Sequence, residues 1–438
     1  MRKYLFLLLM SLPGIMGAQE VLTLKRCLEI GLRQNYDIRL VRNEQEISDN
    51  NVSIGNAGYL PTLDLSGGYS GTVNNTEQKL TTGEVNKNNG VHNQTLNAGV
   101  DLNWTVFDGF GIQTNYERLK ELRQMGEYNT RLTIENFISG LSAEYYNYIQ
   151  QIIRLKNLKY AVRLSKERLR IVEARYNIGS SSRLEMQQAK VDFNADSSKL
   201  IKQYEVLYTS QVELNQMMAQ PNVEQPIMVT DSIIEFDPTL DKSHIMKTMM
   251  ASNTLLLRSK KNIYLSELDL KTVNSQYYPY VKVNAGYGIT KNMYEVGAYD
   301  HQRNMGFNYG ITLGFNIFDG FNRKRKKQNT KLEIENKELL YQQLELSLKS
   351  DLANMWMAYQ TNMDLTDLER ENLETAKENY EIAMERYKLG DLAGIELREA
   401  QNSLLEAEER LVQAEYNTKL CEISLIQIGG QITTYLDL

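Results

Sequence analysis

Cysteine, histidine and proline are all scarce in this chain, at two, three and six among 438 residues. So few cysteines exclude a disulfide scaffold and a zinc-finger array. Glycine, at 27, is also sparse for the length, so the chain has few loop-formers to divide it into the three ordinary domains that its size would suggest. Positive charge is in deficit, with 49 Lys and Arg against 55 Asp and Glu, which argues against a nucleic-acid surface. After the first twenty residues no run approaches 18 consecutive apolar positions, so no membrane-crossing helix is expected. What the chain does have is tyrosine: 27, against 10 Phe and 2 Trp, a weighting suited to half-wet surfaces.

Arg2 and Lys3 precede an apolar run over residues 4–10, and Gly17-Ala18 stand before Gln19. This is the layout of a secretory signal peptide, expected over 1–18, and the run is too short to be an anchor. The mature protein is therefore expected outside the cytoplasm.

The remainder is written twice. Pro61 and Pro279 open similar segments, ending in Gly68-Tyr69 and Gly286-Tyr287, at an offset of 218 residues. Asn35 and Asn253 share that offset. Phe107-Asp108-Gly109-Phe110 and Phe318-Asp319-Gly320-Phe321 are 211 apart, as are Arg175-Tyr176-x-x-Gly179 and Arg386-Tyr387-x-x-Gly390. Two copies of one unit follow: a first repeat over 19–220, a linker over 221–242 and a second repeat over 243–438. The seven-residue difference in offset falls in a longer loop of the first copy, read as residues 74–93 and extracellular, with 291–303 as its shorter counterpart.

Each copy alternates two periodicities. Period-two alternation predicts strands at about 61–73 and 94–107, then at about 279–291 and 304–318, each with one apolar and one polar face. Helices are predicted at about 22–58, 112–177 and 184–218, with the second copy repeating the last two from 323–388 onward. Seven-residue beats (Leu155, Val162, Leu169, Tyr176; Leu397, Leu404, Leu411, Leu425) mark coiled-coil seams. Cys421 occupies a seam position and reads as core rather than as a reactive thiol; Cys27 lies in the first helix, and a Cys27–Cys421 disulfide is the less favoured alternative.

The strands carry the functional reading. They match the length that crosses a bilayer obliquely, with aromatic residues such as Trp104, Phe315 and Tyr309 on the apolar face. Four strands cannot close a barrel, and open edges in lipid leave backbone groups unpaired, so several copies must pool their hairpins. The opposite face (Asp64, Asn97, Asp101, Asn103, Asn284, Asn308, Thr312, Asn316) is too polar for a dry core, which favours a water-filled trimer. The expected fold class is an α+β membrane protein of two tandem repeats, each of long coiled-coil helices plus a β-hairpin.

The doubled Phe-Asp-Gly junction and the doubled Arg-Tyr-x-x-Gly turn resemble the TolC-type outer-membrane efflux protein family. That resemblance covers essentially the whole mature chain. It implies a homotrimer with a twelve-stranded barrel on a twelve-helix periplasmic tunnel in the outer membrane of a Gram-negative bacterium. It also implies docking to a periplasmic adaptor (membrane fusion) protein and an inner-membrane pump, as a passive duct for efflux or type I secretion. The helix-hairpin tips would be Arg175, Tyr176, Gly179, Arg386 and Gly390. By the same resemblance, Glu396 and Glu399 match acidic positions of a periplasmic gate, and Glu185 and Tyr387 match a linking pair between coiled coils. Leu392 stands where well-known members place a latch arginine, and Arg183 offers a substitute charge. A soluble periplasmic coiled-coil adaptor or scaffold is the alternative reading. No catalytic motif, cofactor site or metal cluster is evident: His92 and His301 are expected in loops, and His244 lies elsewhere. The basic run Arg323–Lys327 reads as lipid-adjacent.

Overall fold

The computed structural model describes residues 21–229, 233–297 and 299–436. The expected signal peptide lies outside the described residues. In chain order the elements are β1 (Val21–Leu22), α1 (Leu24–Gln34), α2 (Tyr36–Asn51), α3 (Ile54–Ala57), β2 (Thr62–Lys79), β3 (Val85–Phe107), α4 (Gly111–Asn177), α5 (Arg183–Met217), β4 (Met228–Val229), α6 (Lys242–Ser252), α7 (Thr254–Ser275), β5 (Tyr280–Tyr294), β6 (His301–Gly314), α8 (Asn322–Leu389) and α9 (Gly394–Ile428), with a final 3-10 turn. They divide into two compact units. One takes Asn43–Tyr128 and Arg258–Gln342; the other takes Asn129–Leu257 with the described residues before Asn43 and after Gln342.

The first unit holds an antiparallel four-stranded sheet in the order β2-β3-β5-β6. The central β3–β5 ladder joins the two repeats, and β2 and β6 are unpaired edges. Residues directly opposite share a face, so the register can be read across the sheet. Asp64 faces Asp101, Asp101 faces Gly286, and Gly286 faces Asn308. Asn103 lies opposite Asn284, Asn97 opposite Gly68, and Thr312 opposite Lys282. These polar residues occupy one surface, with glycine between them for a steric reason. A Cβ at Gly286 would stand 2.6 Å from Asp101 Oδ1 and 2.5 Å from Asn308 Oδ1. The other surface is apolar and bare: Leu65 is 84% exposed and Tyr309 81%.

Strand boundaries differ from the sequence expectation. Asn316 falls past the end of β6, outside the sheet. Most of the 74–93 segment, read as a loop, is instead a two-stranded ribbon continuing β2 and β3, with pairs from Asn74↔Val91 to Lys79↔Val85. Apart from Val85 and Val91 its residues are polar or glycine, so hydrophobic alternation is silent while backbone pairing persists. His92 lies in β3 and His301 begins β6, neither of them in a loop.

The Phe-Asp-Gly-Phe junction turns strand into helix in both copies. Asp108 Oδ1 accepts the Ile112 N–H at 3.0 Å, and Asp319 Oδ2 accepts the Arg323 N–H at 2.8 Å, satisfying donors that a helix start leaves open. The chain reverses through left-handed residues, including the non-glycines Phe110 (φ 72°) and Phe321 (φ 64°). Each is braced edge-to-face by its partner phenylalanine, with ring centroids 5.2 Å apart for Phe107–Phe110 and 5.3 Å for Phe318–Phe321. Arg323 is fixed within this junction, bonding Asp319 and stacking 5.1 Å from the Tyr277 ring. On α7, Asp269 pairs with Arg118 of α4 at 3.1 Å.

In the second unit, Leu28, Leu141, Tyr145, Ile149, Leu214, Met218 and Ile423 build the main core. The inter-repeat segment is part of this unit. Its β4 pairs in parallel with β1, and Tyr148 donates a hydrogen bond to the Ile227 carbonyl at 3.0 Å. Cys27 and Cys421 are both buried and neither is in a disulfide.

The single helix expected over 22–58 is three helices. Asn35 ends α1 and starts α2: its Oδ1 accepts the Asp37 and Ile38 N–H groups, and its Nδ2 donates to the Met217 carbonyl at 3.0 Å. Asn253 does the same between α6 and α7, accepting from Leu255 and Leu256 and donating to the Ile428 carbonyl at 2.9 Å. One side chain thus breaks a helix and ties the break to the end of the returning helix of its own repeat. A second cap, Ser53, starts α3 by accepting the Asn56 N–H at 3.1 Å.

Candidate functional site

The turns α4–α5 and α8–α9 are built alike. Gly179 (φ 79°) and Gly390 (φ 89°) take the left-handed conformation that closes a helix. Ser180 N–H then bonds the Arg175 carbonyl at 2.8 Å, and Asp391 N–H bonds the Arg386 carbonyl at 3.0 Å. In the first copy, Ser182 and Glu185 form a reciprocal capping box on α5. In the second, Ala393 has no hydroxyl, so only the return bond exists, from Ala393 N–H to the Glu396 carboxylate at 3.4 Å.

Glu185 and Glu396 are therefore repeat counterparts with one local task, closing the first turn of a returning helix. Hydrogen bonds from the Ser181 hydroxyl and Ser182 N–H hold the Glu185 carboxyl below the usual carboxylate range. Glu399, one turn along α9, is exposed and has no hydrogen-bond or ion-pair partner among the described residues.

Tyr387 is only 4% exposed, in a cluster with Val172, Ala189, Tyr380, Leu397 and Leu404. Burial pushes its phenol above its ordinary range. Its link to the first copy runs through Arg175, not through a hydrogen bond with Glu185. The Arg175 guanidinium donates to the carbonyls of Tyr387 and, at 3.2 Å, Lys388, and stacks 4.7 Å from the Tyr387 ring centroid. A cation there meets the negative end of helix α8. Leu392 packs against the apolar cluster, and Arg183 is exposed without a polar partner among the described residues. At the turns themselves, the arginine that joins the two copies is Arg175.

A second set of residues at these tips was missed by sequence reasoning. Arg398 of α9 binds buried Asp196 of α5 through both guanidinium nitrogens, at 2.6 and 2.9 Å. Ser165 of α4 donates to the same carboxylate, Gln401 donates to the Ser165 hydroxyl at 2.9 Å, and Arg168 pairs with Asp192. Burial alone would push Asp196 up, but the Arg398 and Ser165 hydrogen bonds outweigh it and hold the carboxyl below its usual range. Arg398 stands between two glutamates in sequence, and nothing local names a partner some two hundred residues earlier.

Two repeats, each a β-hairpin carried between long helices and meeting at matched helix turns, are the build of a TolC-like channel subunit. The chain belongs to the outer membrane efflux protein family, whose sequence profile matches residues 28–220 and 247–431. It is similar to the outer membrane efflux protein BepC of Brucella suis biovar 1 (strain 1330), at 20% identity over 94% of this chain and 86% of that protein. A shorter match, 25% identical over 35% of this chain and 34% of the relative, is to the outer membrane protein TolC of Vibrio cholerae serotype O1. Its fold resembles the Campylobacter jejuni CmeC outer membrane channel, with a TM-score of 0.77 and 19% identity over 93% of this chain and 85% of that one. The Neisseria gonorrhoeae MtrE outer membrane channel, solved in its open state, gives 0.72 at 16% identity over 93% and 89%. Among the described residues no helix is long and apolar enough to cross a membrane.

Proposed function

We propose that three copies of this chain pool their sheets into a twelve-stranded barrel in the outer membrane of a Gram-negative bacterium. Their helices form the periplasmic duct of a tripartite efflux or type I secretion machine. Cargo passes without catalysis, delivered by an inner-membrane pump through a periplasmic adaptor. The sheet carries this reading: one face is apolar and bare, and both edges, β2 and β6, are unpaired. Edges of this kind do not persist in lipid, so they must find each other. The polar face, with Asp64, Asp101, Asn103 and Asn284, then lines the water-filled bore, and Asn316 continues it just below β6. At the periplasmic end the gate is assigned to Glu185, Tyr387, Glu396 and Glu399, with Glu399 the carboxylate available to act beyond its own chain.

The internal repeat supplies the register of the closing seam. Within the chain Val100 lies opposite Tyr287, and their repeat counterparts are Ile311 and Tyr69. Ile311→Cys with Tyr69→Cys is expected to form a disulfide between copies, giving covalent oligomers on a non-reducing denaturing gel. The protein is also expected to stay in membranes through a high-salt wash and to need detergent for release. A soluble monomer without that disulfide would end the channel reading and favour a periplasmic scaffold. In planar bilayers, Glu399→Gln is expected to weaken block by multivalent cations, and unchanged block would remove Glu399 from the gate.

A further inference from the structure

The contact that Arg175 makes between the two repeats has no reciprocal within the chain among the described residues. Arg175 of the first repeat binds the last helical carbonyls of the second, at Tyr387 and Lys388. The offset of 211 residues makes Arg386 the counterpart of Arg175, and Tyr176 and Asn177 the counterparts of Tyr387 and Lys388. Both helix ends have the same glycine-closed geometry, so each offers the same carbonyls. Only one is used. Tyr387 is 4% exposed while Tyr176 is 38% exposed, and Arg386 is exposed without a hydrogen-bond, ion-pair or ring partner among the described residues.

The neighbouring apolar positions show the same imbalance. Ile171 of α4 packs into the tip cluster, whereas its counterpart on α8, Ile382, is exposed. A surface that is covered in one repeat and bare in the other is half of a head-to-tail contact. Such a contact passes from copy to copy and closes where the rotation allows.

We propose that Arg386 of one copy clamps the carbonyls of Tyr176 and Asn177 on the next copy, repeating between chains the bond that Arg175 makes within one. A second copy of this chain is the partner that the internal repeat specifies. The guanidinium again meets the negative end of a long helix, here α4. The ring of tips is then held by arginines alternating within and between subunits. This inference rests on the ring assembly proposed above.

The test uses the full-length protein in mild detergent and a short bifunctional thiol reagent. Arg386→Cys with Asn177→Cys is expected to give dimer- and trimer-sized covalent bands. The pair Arg175→Cys with Lys388→Cys is expected to link within one chain and to leave the band at monomer size. Single-cysteine variants report any background from the buried Cys27 and Cys421. Suppose the Ile311–Tyr69 cysteine pair links copies while Arg386→Cys with Asn177→Cys gives monomer only: the assembly then stands and the clamp is overturned. A monomer in both experiments overturns the assembly, and the clamp with it.

Discussion

At the scale of single residues, Asp196 and Glu408 differ in what offsets the burial of a carboxylate. Asp196 has Arg398, and breaking a buried pair of this kind costs about 3 kcal/mol. Arg398→Ala is expected to lower the urea midpoint at neutral pH. Because the folded-state carboxyl of Asp196 is held low, the stabilisation is present above its unfolded value of about 3.9 and is lost as pH falls through the lower folded value. Parent and variant should therefore converge below about pH 4, and parallel curves down to pH 3 would remove the pair from the account. Glu408 of α9 behaves oppositely. It lines a cleft of about 760 Å³ with Lys156, Arg163 and Lys377, and its Oε2 is buried without a hydrogen-bond partner among the described residues. Burial raises its pKa to about 6, with Lys377 only partly offsetting the rise. A carboxyl whose folded value is raised opposes folding while ionised, and stability increases as pH falls through that value. Glu408→Gln is expected to add about 1 kcal/mol at pH 7, allowing for solvent screening, with the gain fading towards pH 4 in thermal melts. A variant no more stable than its parent at pH 7 would contradict this assignment.

At the scale of elements, the strand faces and the long helices were legible because their periodicities are strong. Phe307, Tyr309, Ile311 and Leu313 alternate without a break, and the two longest helices contain no proline. The helix breaks at Asn35 and Asn253 were not legible as breaks, although the matched pair was visible. An asparagine inside a helical pattern looks like any polar surface residue until its long-range partner is known, and here that partner is a backbone carbonyl at Met217 or Ile428. Asn253→Ala would remove the donor to the half-buried Ile428 carbonyl and uncap α7. A loss of about 2 kcal/mol is expected, read as a lower denaturation midpoint, whereas Asn253→Asp should recover the capping part alone. The proposed gate positions came from the family resemblance, and their local roles were not legible. The spacing of Glu396 and Glu399 was visible in the sequence, but not that Glu396 closes a helix turn and leaves Glu399 free. The Arg398–Asp196 network was invisible because its members lie on three helices.

At the scale of the whole molecule, the repeat was the most informative single feature of the sequence. It located the strands, the junction motif and the helix turns twice over, so that each copy checked the other. Its one irregularity, the seven extra residues of the first copy, was read as a loop, because polar residues without alternation leave periodicity nothing to report. Those residues are a ribbon instead. Beyond the Asn93↔Tyr294 pair, β3 pairs with no strand except β2 among the described residues, and the tip is a turn in which Leu80 and Glu84 share a backbone hydrogen bond at 2.8 Å.

In the proposed outer-membrane orientation, that ribbon lies on the cell exterior. Nothing lies within 4 Å of the Cβ position at Gly83 (φ 92°), so the turn has room for foreign sequence, and an insertion there disturbs only pairs that two strands hold by themselves. A short epitope spliced between Thr82 and Gly83 should be displayed to antibody on intact cells without loss of the detergent-extracted oligomer. A tag reached only after permeabilisation would mean that the hairpins point the other way.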